Sequence, residues 1–174
     1  MRRSQEGFTL LEMLVVCALI AILVAVAIPT FFGENLRARG MSEVQPMFND
    51  LRTRMVEYAG ENSAFPASIG EGTLHPATPV STAQPLLPLP ATWTAIKVRI
   101  TNNSSVYCGY TWVTGLASNS ANIGVEASAF GFTAPDTNWY YLLAKCDLDG
   151  DSSIDSFYFT SSVDPTILKR NEGH

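Results

Sequence analysis

The period of hydrophobic positions changes along the chain, and each change marks an element. Residues 8–32, FTLLEMLVVCALIAILVAVAIPTFF, are apolar on every side and carry one charge, Glu12. About 20 such residues cross a bilayer core, so the run predicts a helix of membrane-spanning length. Beyond it the apolar positions thin to a single stripe. Met41, Val44, Phe48, Leu51, Met55 and Tyr58 recur at spacings of three and four, with Glu43, Gln45, Asn49, Asp50, Arg52 and Arg54 between them. That is an amphipathic helix with one face for a core. The two stretches read as one helix from Phe8 to about Gly60, on the order of 80 Å long at 1.5 Å per residue. Pro29 and Pro46 each remove an internal hydrogen bond and are expected to bend or loosen it. Gly60, with Pro66 soon after, ends it.

Residues 66–92 hold six prolines among Gly, Ser and Thr, which excludes a regular helix. PLLPLP is too apolar for a solvated tether, so this stretch reads as a loop packed on the head. From Trp93 the period becomes two. Ile96, Val98 and Ile100 alternate with Lys97, Arg99 and Thr101, a half-buried strand. TNNSS turns the chain into a second strand over 106–113, with Cys108, Tyr110 and Trp112 on one face. A weaker third strand is expected over 123–133, a fourth over 139–146 and a short last one over 157–160. Strands joined by short turns form an antiparallel sheet that buries one face on the amphipathic helix. The expected fold is α+β, a long N-terminal helix packed on a small meander.

Charge sets a direction for the apolar run. Arg2 and Arg3 precede it, so its N-terminal side is expected to stay in the cytoplasm and the chain to exit outward. A secretory signal has its small-residue cleavage site after the apolar core. Here the small residue in leader-like surroundings is Gly7, before the core. Cleavage there would keep the helix on the product and create an amine at Phe8, about one helical turn from Glu12. A carboxylate inside a span costs at least ~2.5–3.5 kcal/mol on insertion scales, and the new amine supplies a reason to carry it. A plain single-pass anchor, with Glu12 snorkelling to the headgroups, leaves the Gly7–Phe8 junction without a use.

GFTLLEMLVV, with Gly7, Phe8, Thr9, Leu10 and Glu12, and then Pro29, resembles the class III signal of type IV pilins and the related pseudopilins. The resemblance is close over residues 5–60 and diffuse beyond. It implies a prepilin peptidase that cuts after Gly7 and methylates the Phe8 amine. It also implies assembly with other pilin subunits into a helical filament, with Glu12 and Pro29 in the assembling helix. The protein would sit in the inner membrane before assembly, its head in the periplasm, and in an extracellular filament afterwards. Glu6 departs from the pattern, which often has a basic residue there. The expected divisions are a leader at 1–7, a transmembrane and filament-core helix at 8–32, an amphipathic helix at 33–60, a proline-rich loop at 61–92 and an antiparallel β head at 93–174. Three functions stay open: a major or minor pilin of a type IV pilus, a pseudopilin of a type II secretion system, and a surface-displayed binding module.

Composition fits an exported chain with one soluble domain: 174 residues at net charge −5. The acidic balance argues against a nucleic-acid partner. The local cluster Arg37, Arg39, Arg52 and Arg54 reads as a solvated face or a subunit contact. Cys17 lies in the apolar run as a small buried hydrophobe. Cys108 and Cys146, outside the cytoplasm, read as one disulfide, the alternative being two thiols on adjacent strands. In CDLDGDSSID, Asp147, Asp149, Asp151 and Asp155 have the early ligand spacing of a calcium loop. Ser152 stands where glycine is expected and Tyr158 where a bidentate glutamate would be, so an acidic turn between strands is the competing reading. No cofactor is required by either. Gly-rich phosphate loops, Ser/His/acid sets and zinc spacings are missing from the sequence, and His75 and His174 are isolated, so no enzyme is expected. The overlapping sequons at 102–105 read as a polar turn.

Overall fold

The computed structural model describes residues 9–99, 105–151 and 153–174. In chain order the elements are α1 (Leu10–Asn62), β1 (Gln84–Pro85), α2 (Ala91–Ala95), β2 (Ser105–Val106), β3 (Cys108–Gly115), α3 (Val125–Ala129), β4 (Trp139–Cys146), β5 (Ser156–Ser161) and β6 (Leu168–Arg170). The chain divides into two compact units, Met1–Asn35 and Leu36–His174. Helix α1 takes in the predicted helical stretches from Leu10 onward, continues through Pro29 and Pro46, and ends at Asn62; Phe8 lies outside the described residues. The arrangement is α+β and pilin-like.

In the second unit the predicted stripe becomes the helix side of the core. Val44, Phe48, Leu51 and Met55 are fully buried, with Met41 and Tyr58 packed at the margin. They meet one face of a four-stranded antiparallel sheet in the order β3-β4-β5-β6. Cys108, Tyr110, Trp112, Tyr140, Leu142, Ala144, Cys146 and Tyr158 supply that face. β3 and β4 pair along their whole length, from Cys108 opposite Cys146 to Gly115 opposite Trp139. The two cysteines are joined, so the disulfide ties the first residue of β3 to the last of β4.

Two expected strands are absent, for related reasons. Residues 93–99 contain no strand: α2 and the turn after it bury Trp93 and Ile96, three positions apart on one side of a helical turn. Pro90 starts that turn, its carbonyl accepting from Trp93 N at 3.0 Å. The alternation at Ile96 and Val98 therefore does not mark a pleat; Ile100 and Thr101 lie outside the described residues. Residues 123–133 form α3 and a loop. Ile123, Ala127, Phe130 and Phe132 cover the second face of the sheet, on Val113, Trp139, Tyr141, Leu143 and Phe159. The sheet is thus buried on both faces, and β4 is buried everywhere except at the half-buried Lys145.

The proline-rich segment packs on the head as expected. Leu86 is fully buried, β1 pairs with β2, and residues 69–75 run along the outer edge of β3. Ile69 N donates to Trp112 O at 3.1 Å, and His75 and Tyr110 exchange backbone hydrogen bonds at 2.9 Å. These bonds pair groups that an open sheet edge would offer to another chain.

Candidate assembly site on the N-terminal helix

Thr9 immediately precedes α1. Its Oγ1 accepts from Glu12 N at 3.2 Å, and its carbonyl accepts from Glu12 N and Met13 N at 3.1 and 3.2 Å. Amides of the first turn have no intrahelical partners, so a Thr side chain here satisfies one of them. The Thr9-x-x-Glu12 spacing is that of a capping box, a signal present in the sequence beside the apolar run. The Glu12 carboxylate stands in the first turn, where the helix dipole favours negative charge.

Past Glu12 the helix is bare. Every described large apolar side chain from Leu10 to Phe31 is exposed, Leu10 by 84% and Val26 by 69%. An 18-residue window of this helix has mean hydropathy 3.0 and nothing in it is buried, so by length and composition it can cross a membrane. Each exposed Leu, Ile or Val forgoes about 1.5–3 kcal/mol that full burial would contribute. A contiguous apolar surface of this kind marks a lipid or protein contact. Cys17 is exposed on it and free.

The basic cluster divides between buried and exposed positions. Arg52 donates to Thr160 Oγ1 at 2.5 Å and to Pro165 O at 2.9 Å. Arg54 is buried, paired with Asp50 at 3.4 Å and Glu57 at 2.5 Å. Arg39 lies over the Tyr107 ring at 4.9 Å, and Arg37 Nε donates to Glu172 O at 3.4 Å. Arg52 ties α1 to β5 and the loop after it, and Arg54 pairs along α1 itself, while Arg37 and Arg39 stay exposed as on a solvated face.

Two acids to which the sequence reading gives no role, Glu43 being named there only as a polar position on the helix, organise the head. Glu43 Oε2 accepts from Tyr107 N at 2.8 Å, while Oε1 accepts from Cys108 N at 3.0 Å and Tyr110 Oη at 2.7 Å. Burial pushes its carboxyl above the ordinary value, against the opposing pull of these three donors. Burial and the Glu43 charge push the Tyr110 hydroxyl well above its own. Glu71 reaches α3 from the proline-rich segment: Oε2 accepts from Glu126 N at 2.9 Å, and Oε1 from Ala127 N at 2.8 Å and Tyr141 Oη at 3.0 Å. It caps a helix that has no side-chain cap of its own. A Cβ on Gly124 would stand 2.0 Å from Glu71 Oε2, which is why glycine begins that helix.

In the acidic loop each carboxylate has its own partner. Asp147 Oδ1 accepts from Gly150 N at 2.7 Å, and Asp149 contacts Asp151 N at 3.3 Å and His174 Nδ1 at 3.1 Å. Asp151 Oδ1 accepts from Ser153 N and Ile154 N at 2.8 and 3.1 Å, which pull its carboxyl below the ordinary value. Asp155 pairs with Lys145 at 2.8 Å. Among the described residues, no group of three or more His, Cys, Asp or Glu side chains is placed to hold a metal ion. His174 is docked, its carbonyl accepting from Leu148 N at 3.0 Å and Ser156 Oγ at 2.7 Å. His75 Nε2 lies 2.8 Å from Leu86 O, and its ring packs against Trp93.

Residues 2–28 match a family described as a prokaryotic N-terminal methylation motif. Over 80 residues the chain is 31% identical to the type IV major pilin protein PilE1 of Neisseria gonorrhoeae, a match covering 46% of this chain and 37% of that protein. The chain is type IV pilin-like. It spans little more than a third of that relative's length. No solved structure matches it.

The pilin-like features fall on the residues singled out above. Gly7 and Phe8 lie within the matched motif and outside the described residues; Glu12 lies within both. Pro29 follows the motif's last residue inside α1. The disulfide and the acidic loop belong to the head. The capping role of Thr9 was not read from the sequence, although its spacing to Glu12 is a signal that marks it. Glu43 and Glu71 have no such signal, because their partners come from distant segments.

Proposed function

We propose that this chain is a structural subunit, major or minor, of a type IV pilus filament. A leader at 1–7 is removed after Gly7 by a prepilin peptidase, and the Phe8 amine is methylated. The helix at 8–32 anchors the subunit in the inner membrane and then becomes filament core, packed on the same helix of other subunits. The supporting observation is the bare apolar stretch of α1, in a chain whose head completes its own core without it. Such a surface is tolerated only when lipid or neighbouring helices cover it, and both fit a subunit that moves from membrane to filament. Glu12 then has a use. In that low-dielectric setting its carboxylate pairs with the Phe8 ammonium of a neighbour, where either charge alone would be costly.

Likeness to a type IV major pilin supports a pilin-type subunit. N-terminal sequencing and intact mass of the mature protein test the processing step. The expected product begins at methylated Phe8, and Gly7 replaced by a bulky residue leaves uncleaved precursor in the membrane. A mature chain still beginning at Met1, or beginning after residue 30, would refute the proposal. On deletion, loss of surface pili is expected; a secretion defect with pili intact would favour the pseudopilin.

A further inference from the structure

Just past the end of α1, a pocket of about 230 Å³ opens between residues 64–65, the end of β3, the loop after it and Asn138. Phe65 and Leu116 give it apolar walls, and Thr114, Asn119, Asn122 and Asn138 give it polar ones. Among the described residues, no charged side chain lines it.

Among the described residues, the three amides are each oriented by a backbone bond at one end. Asn138 Oδ1 accepts from Ala117 N at 3.1 Å, Asn119 Oδ1 accepts from Ala121 N at 2.9 Å, and Asn122 Nδ2 donates to Thr114 O at 3.0 Å. Each amide has a second polar atom that these bonds do not use. Two of those atoms are donors, Nδ2 of Asn119 and of Asn138, and one is an acceptor, Oδ1 of Asn122. The half-buried Phe65 ring is held edge-on to Tyr140, with centroids 4.9 Å apart, so the apolar wall is also fixed.

We infer that this pocket binds a neutral saccharide, one ring deep. A sugar hydroxyl both donates and accepts, which matches mixed amide ends better than a carboxylate or an ammonium would. Its C–H face matches an aromatic and aliphatic wall. The absence of charged lining removes attraction for an ion. The volume is below the 300–1,000 Å³ of sites for drug-sized ligands, so it takes a single unit and not an extended chain. The inference is independent of the filament proposal, since it uses only the head.

The test is a titration of the full ¹⁵N-labelled chain in phosphocholine micelles, chosen because they carry no glycoside. The probes are the methyl glycosides of glucose, galactose, mannose and N-acetylglucosamine, with a capped neutral diglycine peptide as comparison. At least one glycoside is expected to give saturable shifts of the Asn119, Asn122 and Asn138 side-chain NH₂ signals. Asn138→Asp keeps the acceptor for Ala117 N but removes the donor. Leu116→Ser shortens a side chain that is 64% exposed and so leaves the fold intact. Each is expected to weaken binding about tenfold, the scale of one lost hydrogen bond or apolar contact. No saturable shift with any glycoside would overturn the inference. So would binding undiminished in both variants, or saturation by the peptide and not by the sugars.

Discussion

Replacing Gly40 by Ala sets two known effects against each other, and the structure decides the sign. Gly40 lies inside α1, where Ala is favoured over Gly by about 1 kcal/mol on propensity alone. It is also buried, and a Cβ added there would stand 2.2 Å from Tyr158 Oη, 3.0 Å from Leu148 Cδ1 and 3.0 Å from Tyr158 Cζ. Tyr158 is fully buried on β5, so its hydroxyl cannot move aside without disturbing the helix–sheet core. Overpacking of this kind costs about 1–3 kcal/mol. The expected net effect of Gly40→Ala is a loss of about 1 kcal/mol, or roughly 2–4 °C in Tm for a domain of this size. Among the described residues the buried Tyr158 hydroxyl has no hydrogen-bond partner, so Tyr158→Phe is expected to be within about 1 kcal/mol of neutral. In the Phe background the closest contact is gone, and the Gly40→Ala deficit should shrink or change sign. The assay is thermal unfolding of the full chain in micelles, followed by near-UV circular dichroism on all four proteins. A rise in Tm for Gly40→Ala in the Tyr158 background, or an equal deficit in both backgrounds, would refute the argument.

Three further outcomes follow from the head. Replacing Cys108 and Cys146 together by Ser removes a cross-link across a separation of 38 residues, worth about 4 kcal/mol on chain entropy, and a Tm drop of roughly 10 °C is expected. Burial raises the Glu43 carboxyl above 4.5, so its contribution to stability is complete below that pH and is lost as pH rises through its folded value. The Tm of the native chain minus that of Glu43→Gln, which cannot titrate, should therefore fall as pH rises above 4.5. For calcium to bind at 147–155, Asp155 must leave Lys145 and Asp149 must leave His174. Equal melting curves in calcium and in chelator are expected, and a calcium-dependent rise abolished by Asp149→Ala would show that the loop reorganises around the ion.

The elements legible in the sequence are those whose pattern has one cause. The apolar run and the stripe from Met41 to Tyr58 follow helical period directly, and both lie in α1. β4 and β5 appear within a residue of where their apolar runs place them. The cysteine pair was read from compartment and count, and it forms across directly opposed positions. What failed were short segments with mixed signals. Ile96, Val98 and Ile100 imitate a strand, but Trp93 with Ile96 makes a buried helical face instead. Ile123, Ala127 and Phe130 had helical spacing, yet a one-faced sheet left no need for a second cover. The continuous apolar run WYYLLA in β4 was the sign of a sheet buried on both faces. β6, three residues with Lys169 and Arg170, is too short and too charged to show in a pattern. Glu43 and Glu71 find partners 55 to 70 residues away, and that information exists only in the folded chain.

The central claim is that the exposed face of α1 is a subunit interface whose one charge is matched across it. Glu12→Leu removes the charge and leaves the apolar surface and the Gly7–Phe8 junction unchanged. Cells producing this variant are sheared, and the subunit is quantified in the released filaments and in the membrane, with the mature N-terminus sequenced in both. The account predicts normal processing at Gly7, accumulation in the membrane and strong depletion from sheared filaments. Incorporation into filaments at the native level would contradict it.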